Sequence, residues 1–153
     1  MRRVRLLITA LTLLLASCES YDCTLYNYVG LYGSFYRGGN AVAISDTLTI
    51  TSGRKGIVLL NQAVGTSSLN LPMSYWNEED TLVFSIKGNG YQARDSVWIA
   101  KSNLVHYESP DCPMTLFHTI QSVGSTNEFI DSISIIRSSV NYETTENLRI
   151  YLR

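Results

Sequence analysis

Thr81-Leu82-Val83-Phe84-Ser85-Ile86-Lys87-Gly88-Asn89-Gly90, followed by Asp95-Ser96-Val97-Trp98-Ile99, decides the architecture. Leu82, Phe84 and Ile86 are apolar at every second position, the period of a strand with one buried face. Lys87-Gly88-Asn89-Gly90 then supplies the residues of a hairpin turn. The return strand puts Val97 and Ile99 on one side and Trp98 on the other.

The same period continues in both directions. Upstream, Leu48 and Ile50 alternate with Thr47, Thr49 and Thr51, and Gly53 to Gly56 ends that strand. Ile57-Val58-Leu59-Leu60 is apolar enough to predict a strand buried on both faces. Leu69 to Pro72 is a brief extended piece, because the residue before a proline is driven out of helical conformation. Asn77-Glu78-Glu79-Asp80 reads as a polar loop. Downstream, Leu104 to Tyr107 predicts a further strand, and Ser109-Pro110-Asp111-Cys112-Pro113 a loop. Met114, Leu116 and Ile120 alternate with Thr115, Phe117 and Thr119, Gly124 to Asn127 predicts a turn, and Ile130 to Ile136 is β-branched as strands prefer. Leu148, Ile150 and Leu152 close the chain against Arg149, Tyr151 and Arg153. Beyond Asp22 there is no helical run. About eight or nine short strands with frequent turns predict an all-β fold, an antiparallel β-sandwich of immunoglobulin-like type, as one domain over residues 26–153.

One local pattern recurs: Asp46-Thr47-Leu48, Asp80-Thr81-Leu82, Asp95-Ser96-Val97 and Asp131-Ser132-Ile133, so four of the six aspartates open a strand this way. A short acceptor side chain capping a turn explains it. Convergence on calcium would need a dense acidic loop, which is missing.

No reaction centre is legible. His106 and His118 are the only histidines, both at strand positions and suited to hydrogen bonding or the surface. A serine nucleophile would want a Gly-x-Ser-x-Gly elbow and an oriented base, and neither is present. Glu78, Glu79 and Asp80 could supply the paired carboxylates of glycoside hydrolysis, but neighbours in a polar loop more often form a solvated turn. The residues therefore predict no enzyme, no cofactor and no metal. The best binding candidates are Tyr28, Tyr32 and Tyr36, which recur every four residues opposite Val29, Leu31 and Phe35, roughly 13 Å apart at strand rise. Tyrosine makes up ten of the sixteen aromatics, and a ladder of this kind could stack on a glycan or a protein surface.

The amino terminus carries an address. Arg2, Arg3 and Arg5 precede an apolar run from Leu6 to Leu15, the n- and h-regions of a signal peptide. The run is about half the 20 residues a spanning helix needs. Leu15-Ala16-Ser17-Cys18 resembles the lipobox of bacterial lipoproteins, in which the cysteine thiol is acylated before cleavage just ahead of it. The resemblance implies a signal peptide over residues 1–17, lipidated Cys18 as the mature first residue, and a short tether over residues 18–25. Acyl chains of the palmitate class would hold the protein on a membrane, because lasting attachment takes more than one chain. Glu19 and Asp22 are a thin version of an acidic export signal, which points to the outer membrane without choosing its periplasmic or surface face.

Three of the 12 basic residues leave with the signal, so 9 remain against 13 acidic ones, a balance of −4. No basic patch remains to attract nucleic acid. With Cys18 lipidated, Cys23 and Cys112 are left in an exported chain, where disulfides persist, and we expect them to pair.

With these residues in hand, the mature chain resembles a family of small uncharacterised lipoproteins of Bacteroides-type bacteria. The likeness rests on Cys18 and Cys23, Leu71-Pro72, Asp95-Ser96-Val97, Tyr107-Glu108-Ser109-Pro110-Asp111-Cys112, Ile130-Asp131-Ser132-Ile133 and Asn147-Leu148-Arg149-Ile150-Tyr151-Leu152. Pro113 departs from the glycine that usually follows the second cysteine in that family. The family brings no catalytic residues. The expectation is a lipid-anchored envelope protein that binds or scaffolds envelope protein or other envelope material. The first alternative is a glycan-binding module on the tyrosine face, and an enzyme is the disfavoured second.

Overall fold

A computed structural model describes Cys23, residues 28–53 and residues 55–153. The expected signal peptide, the expected lipidation site Cys18 and most of the expected tether lie outside the described residues. The described residues fall into two units, Cys23 with Tyr107–Pro113, and residues 28–106 with Met114–Arg153. Among them there is no helix, so none long and apolar enough to cross a membrane.

The larger unit is an all-β sandwich of eleven strands: β1 (Leu31–Arg37), β2 (Asn40–Ala41), β3 (Thr47–Ser52), β4 (Val58–Ala63), β5 (Ser68–Leu71), β6 (Glu79–Lys87), β7 (Gln92–His106), β8 (Thr115–Ser125), β9 (Ile130–Ile135), β10 (Ser139–Val140) and β11 (Leu148–Leu152). Nine of them are four residues or longer, in line with the expected count. One sheet runs β2-β1-β11-β9, with β5 also on β1, and the other runs β10-β8-β7-β6-β3-β4. Every pairing in the six-stranded sheet is antiparallel. In the other, β1 and β11 run parallel.

Alternation builds the core directly. Leu31 and Phe35 of β1 and Leu148, Ile150 and Leu152 of β11 face Leu48 and Ile50 of β3, Leu82, Phe84 and Ile86 of β6, and Val97 and Ile99 of β7, in one apolar cluster. Burying a side chain of this size contributes about 1.5 to 3 kcal/mol. The hairpin turn stands where expected, with Lys87 paired to Gln92 across it.

Three local expectations need correction. Ile57 and Val58 are 53% and 52% exposed, because β4 ends up as an edge strand rather than between two neighbours. Leu104 to His106 is no separate strand, since β7 runs without interruption for 15 residues. Glu79 and Asp80, read as loop, begin β6. The register between β7 and β8 steps from Ala100↔Ser122 to Lys101↔Ile120, leaving Gln121 as the extra residue of a bulge.

Asp95, wholly buried, binds the β8–β9 turn. It accepts hydrogen bonds from the Thr126 hydroxyl and from the backbone N–H groups of Glu128, Phe129 and Ile130 at 2.6–2.8 Å. Burial alone would raise its pKa, but these bonds outweigh that and hold it below the ordinary value. Of the four aspartates in the recurring motif, Asp95 thus caps a turn, one that joins other strands rather than the turn before its own. Asp46 accepts from the Tyr91 hydroxyl beside the hairpin, and Asp80 accepts from the Ser74 N–H at 3.0 Å.

Candidate functional site

The chemistry of this chain concentrates where β7 passes under the loop between β5 and β6. Lys101 continues the inward face of β7 after Val97 and Ile99, and its side chain is fully buried. Its ammonium donates to the carbonyls of Ser74 and Asn77 and to Asn103 Oδ1, each at 2.7 Å. An ammonium has three protons, and three acceptors meet them. Asp80 Oδ2 stands 3.9 Å away as counter-charge. Burial pulls the Lys101 pKa below its ordinary value, and Asp80 opposes that.

His118, on the neighbouring strand β8 and paired with Asn103, completes the cluster. Its Nδ1 lies 2.8 Å from Asn103 Oδ1 and 3.5 Å from Lys101 Nζ. The ammonium and the Nδ1–H both donate to that oxygen, while Asn103 Nδ2 donates to the Asn77 carbonyl at 3.1 Å. Burial first, and then the positive charge of Lys101, push the His118 pKa down to about 4. It is neutral at pH 7.

The consequence lies outside the cluster. Ser74 and Asn77 bracket a short bend whose two carbonyls are both held by one ammonium. The Ser74 N–H is bound by Asp80, and the Glu78 carbonyl accepts from the Lys101 backbone N–H at 2.8 Å. Between these anchors Tyr75 and Trp76 project with 56% and 64% of their surface exposed. A cleft of about 240 Å³ opens beside the bend, lined in part by Ile57, Leu59, Pro72 and Met73. The Ser74 hydroxyl is buried there without a hydrogen-bond partner among the described residues.

The tyrosine candidates are placed differently. Tyr28 precedes β1 and is 47% exposed. Tyr32 and Tyr36 share the outward face of β1, both half-buried. The Tyr32 hydroxyl accepts from Asn70 Nδ2 at 3.3 Å. The Tyr36 hydroxyl donates to Glu146 at 3.3 Å, its ring lies 5.0 Å under the Arg149 guanidinium, and Tyr151 stands 5.7 Å away. Two of the three candidates are thus engaged with their own neighbours.

Cys23 and Cys112 form a disulfide, with Cα atoms 5.6 Å apart. His106 stacks on Phe117 at 4.2 Å, with Tyr142 edge-on to both rings. Among the described residues, no three His, Cys, Asp or Glu side chains gather as metal ligands. The sequence reading missed Lys101, Tyr75 and Trp76. The only sequence signal was a lysine in phase with Val97 and Ile99, which marks it as inward-facing once β7 is known to continue.

Residues 47–152, from β3 through β11, match a Family of unknown function (DUF6452). No curated protein and no solved structure matches the chain. The matched stretch contains Lys101, His118 and the Tyr75–Trp76 bend, and begins after the tyrosines on β1.

Proposed function

This chain belongs to the DUF6452 family of unknown function, and from that premise we propose that it is a lipid-anchored module of the bacterial outer membrane that binds a protein partner through Tyr75 and Trp76 without catalysing a reaction. It is one of the small lipoproteins of Bacteroides-type bacteria that its motifs resemble. The observation that carries the binding role is the clamped bend, in which one buried ammonium holds both flanks of an exposed aromatic pair. Tryptophan and tyrosine dominate the energetics of protein interfaces. A bend already ordered in the free protein loses little entropy on binding, so more of the contact energy survives as affinity. The anchor is supported by the lipobox residues Leu15-Ala16-Ser17-Cys18.

Two experiments test the parts separately. Metabolic labelling with a palmitate analogue is expected to mark the wild type and not Cys18→Ala, and equal labelling of both removes the anchor. Crosslinking in the native envelope, followed by mass spectrometry, is expected to recover a defined partner whose yield falls at least tenfold in Trp76→Ala with the melting temperature unchanged. An undiminished yield removes the binding role of the bend. A second reading, a glycan-binding module on the tyrosine face, is favoured by Tyr32 and Tyr36 sharing one outward face of β1. Alanine at Tyr28, Tyr32 and Tyr36 together would then abolish retention on a polysaccharide array while stability is kept, and retained binding refutes it.

A further inference from the structure

The longest strand has one apolar end and one charged end. Past Asn103, β7 stops burying its side chains: Leu104 is 67% exposed, and Val105 and, just before β8, Met114 are 41% exposed each. Leu104 and Val105 point to opposite faces, so both sides of the strand are bare there. Leu104 pairs with Phe117, whose ring stacks on His106 and meets the edge of Tyr142, which extends the outward face into a cluster of rings. At the other end, Asp46, Lys87, Arg94 and Glu128 line the cleft beside the β6–β7 hairpin. Fourteen steps of strand rise separate Gln92 from His106, about 46 Å.

The amino-terminal part of the chain is tied to the apolar end twice. It enters the sandwich there: the Asn147 N–H donates to the Tyr32 carbonyl at 2.8 Å and Asn147 Nδ2 to the Ser139 carbonyl at 2.9 Å. Ser139 pairs with Thr119, and Thr119 with Ser102, two residues before Leu104. The disulfide then joins Cys23 to Cys112, in the connection between β7 and β8. Five extended residues from Cys18 to Cys23, the 5.6 Å between the bridged Cα atoms and two residues from Cys112 to Met114 reach no farther than about 31 Å. An acyl chain on Cys18 is therefore leashed to the end that carries Leu104 and Met114, and the leash is shorter than β7.

We infer that this end of the β7–β8 hairpin is seated on the lipid surface, with Leu104, Val105 and Met114 against the bilayer and the charged β6–β7 hairpin turned to solvent. The inference rests on the lipid anchor proposed above and deepens it, giving the disulfide the task of fixing which end faces the membrane. Three aliphatic side chains are a small patch, but a short leash raises the effective concentration of the surface they meet. Their contact then scales with the apolar area buried at the interface. Glu108 and Asp111 in the connection are acidic, so the surface that fits is zwitterionic phospholipid rather than anionic lipid. The Tyr75–Trp76 bend, held to Asn103 through the Asn77 carbonyl, lies beside this end, so a partner met through Trp76 is met at the membrane.

Photo-crosslinking of the purified, lipidated full-length chain in phosphatidylcholine vesicles tests the orientation. Leu104→benzoylphenylalanine and, as a second reporter, Met114→benzoylphenylalanine are expected to give phospholipid adducts on illumination, at least tenfold more than Asn89→benzoylphenylalanine in the hairpin. All three positions are exposed, so the core is untouched. Adducts as frequent from position 89, none from 104 and 114, or adducts there only to a second copy of the chain each overturn the inference while palmitate labelling still upholds the anchor. A wild type that takes no palmitate label overturns the anchor and this inference together.

Discussion

A buried ammonium stabilises a fold only while each of its protons has an acceptor, and Lys101 meets that condition with two main-chain carbonyls and an asparagine. Lys101→Met keeps the volume and leaves those acceptors unpaired. Losing one partner of a buried charged cluster costs about 3 to 5 kcal/mol. The expected urea midpoint shift should be accompanied by mobile Trp76 fluorescence, read as lower anisotropy in the still-folded variant; unchanged anisotropy would show that the clamp does not order the bend. His118 sets the pH dependence. Its folded pKa of about 4 lies below the ordinary 6.5, so the unfolded chain binds the extra proton between these values. Stability is therefore present above pH 6.5 and falls as pH drops toward 4, by up to about 3 kcal/mol. Asp95, held below the ordinary carboxylate value, titrates beneath this window. Urea titrations at pH 7 and pH 4.5 should show a larger loss in the wild type than in His118→Gln, and parallel losses would exclude His118 as the source.

Strand β7 is the element on which the sheet depends, since it pairs with β6 along its first part and with β8 along its second. Trp98 stands directly opposite Gly124 on β8, and a Cβ added at Gly124 would come within 2.5 Å of the indole. The glycine is there to let the ring lie flat on the sheet, which a turn prediction at Gly124 overlooked. Gly124→Ala must displace a ring that is 39% exposed, so the cost is expected at about 1 to 2 kcal/mol, at the lower end of overpacking penalties. Adding Trp98→Ala should cancel most of that cost in a double-mutant cycle. Additive losses would show that the strain lies in the backbone. The same strand shows why Lys101-Ser102-Asn103 resisted reading. Three polar residues in a row suggest a break, yet their partners Ser74 and Asn77 lie 27 and 24 residues away from Lys101.

For the chain as a whole, the Cys23–Cys112 disulfide spans 89 residues. Closing a loop of that length removes unfolded-state entropy worth about 4 to 5 kcal/mol in the chain-entropy model, comparable to a small domain's net stability. Reduction is expected to lower the thermal midpoint by about 10 to 20 °C, measured by circular dichroism with and without reductant. A midpoint unmoved by reduction would mean the bridge constrains little of the unfolded chain.

The period of two along Leu48–Ile50, Leu82–Ile86 and Leu148–Leu152 was enough to determine strands and an all-β sandwich, because which face a side chain takes is a local property of an extended chain. Cysteine chemistry pointed to the pairing of Cys23 with Cys112, with Cys18 expected to carry lipid, and that disulfide is present. Only the tertiary structure decided that Ile57 and Val58 stay exposed and that β1 runs parallel to β11. It alone placed Lys101 inside and Trp76 outside. Those outcomes follow from strand order and from partners distant in sequence, which periodicity does not encode, so burial of a charge or exposure of an indole becomes legible only when its neighbours are in place.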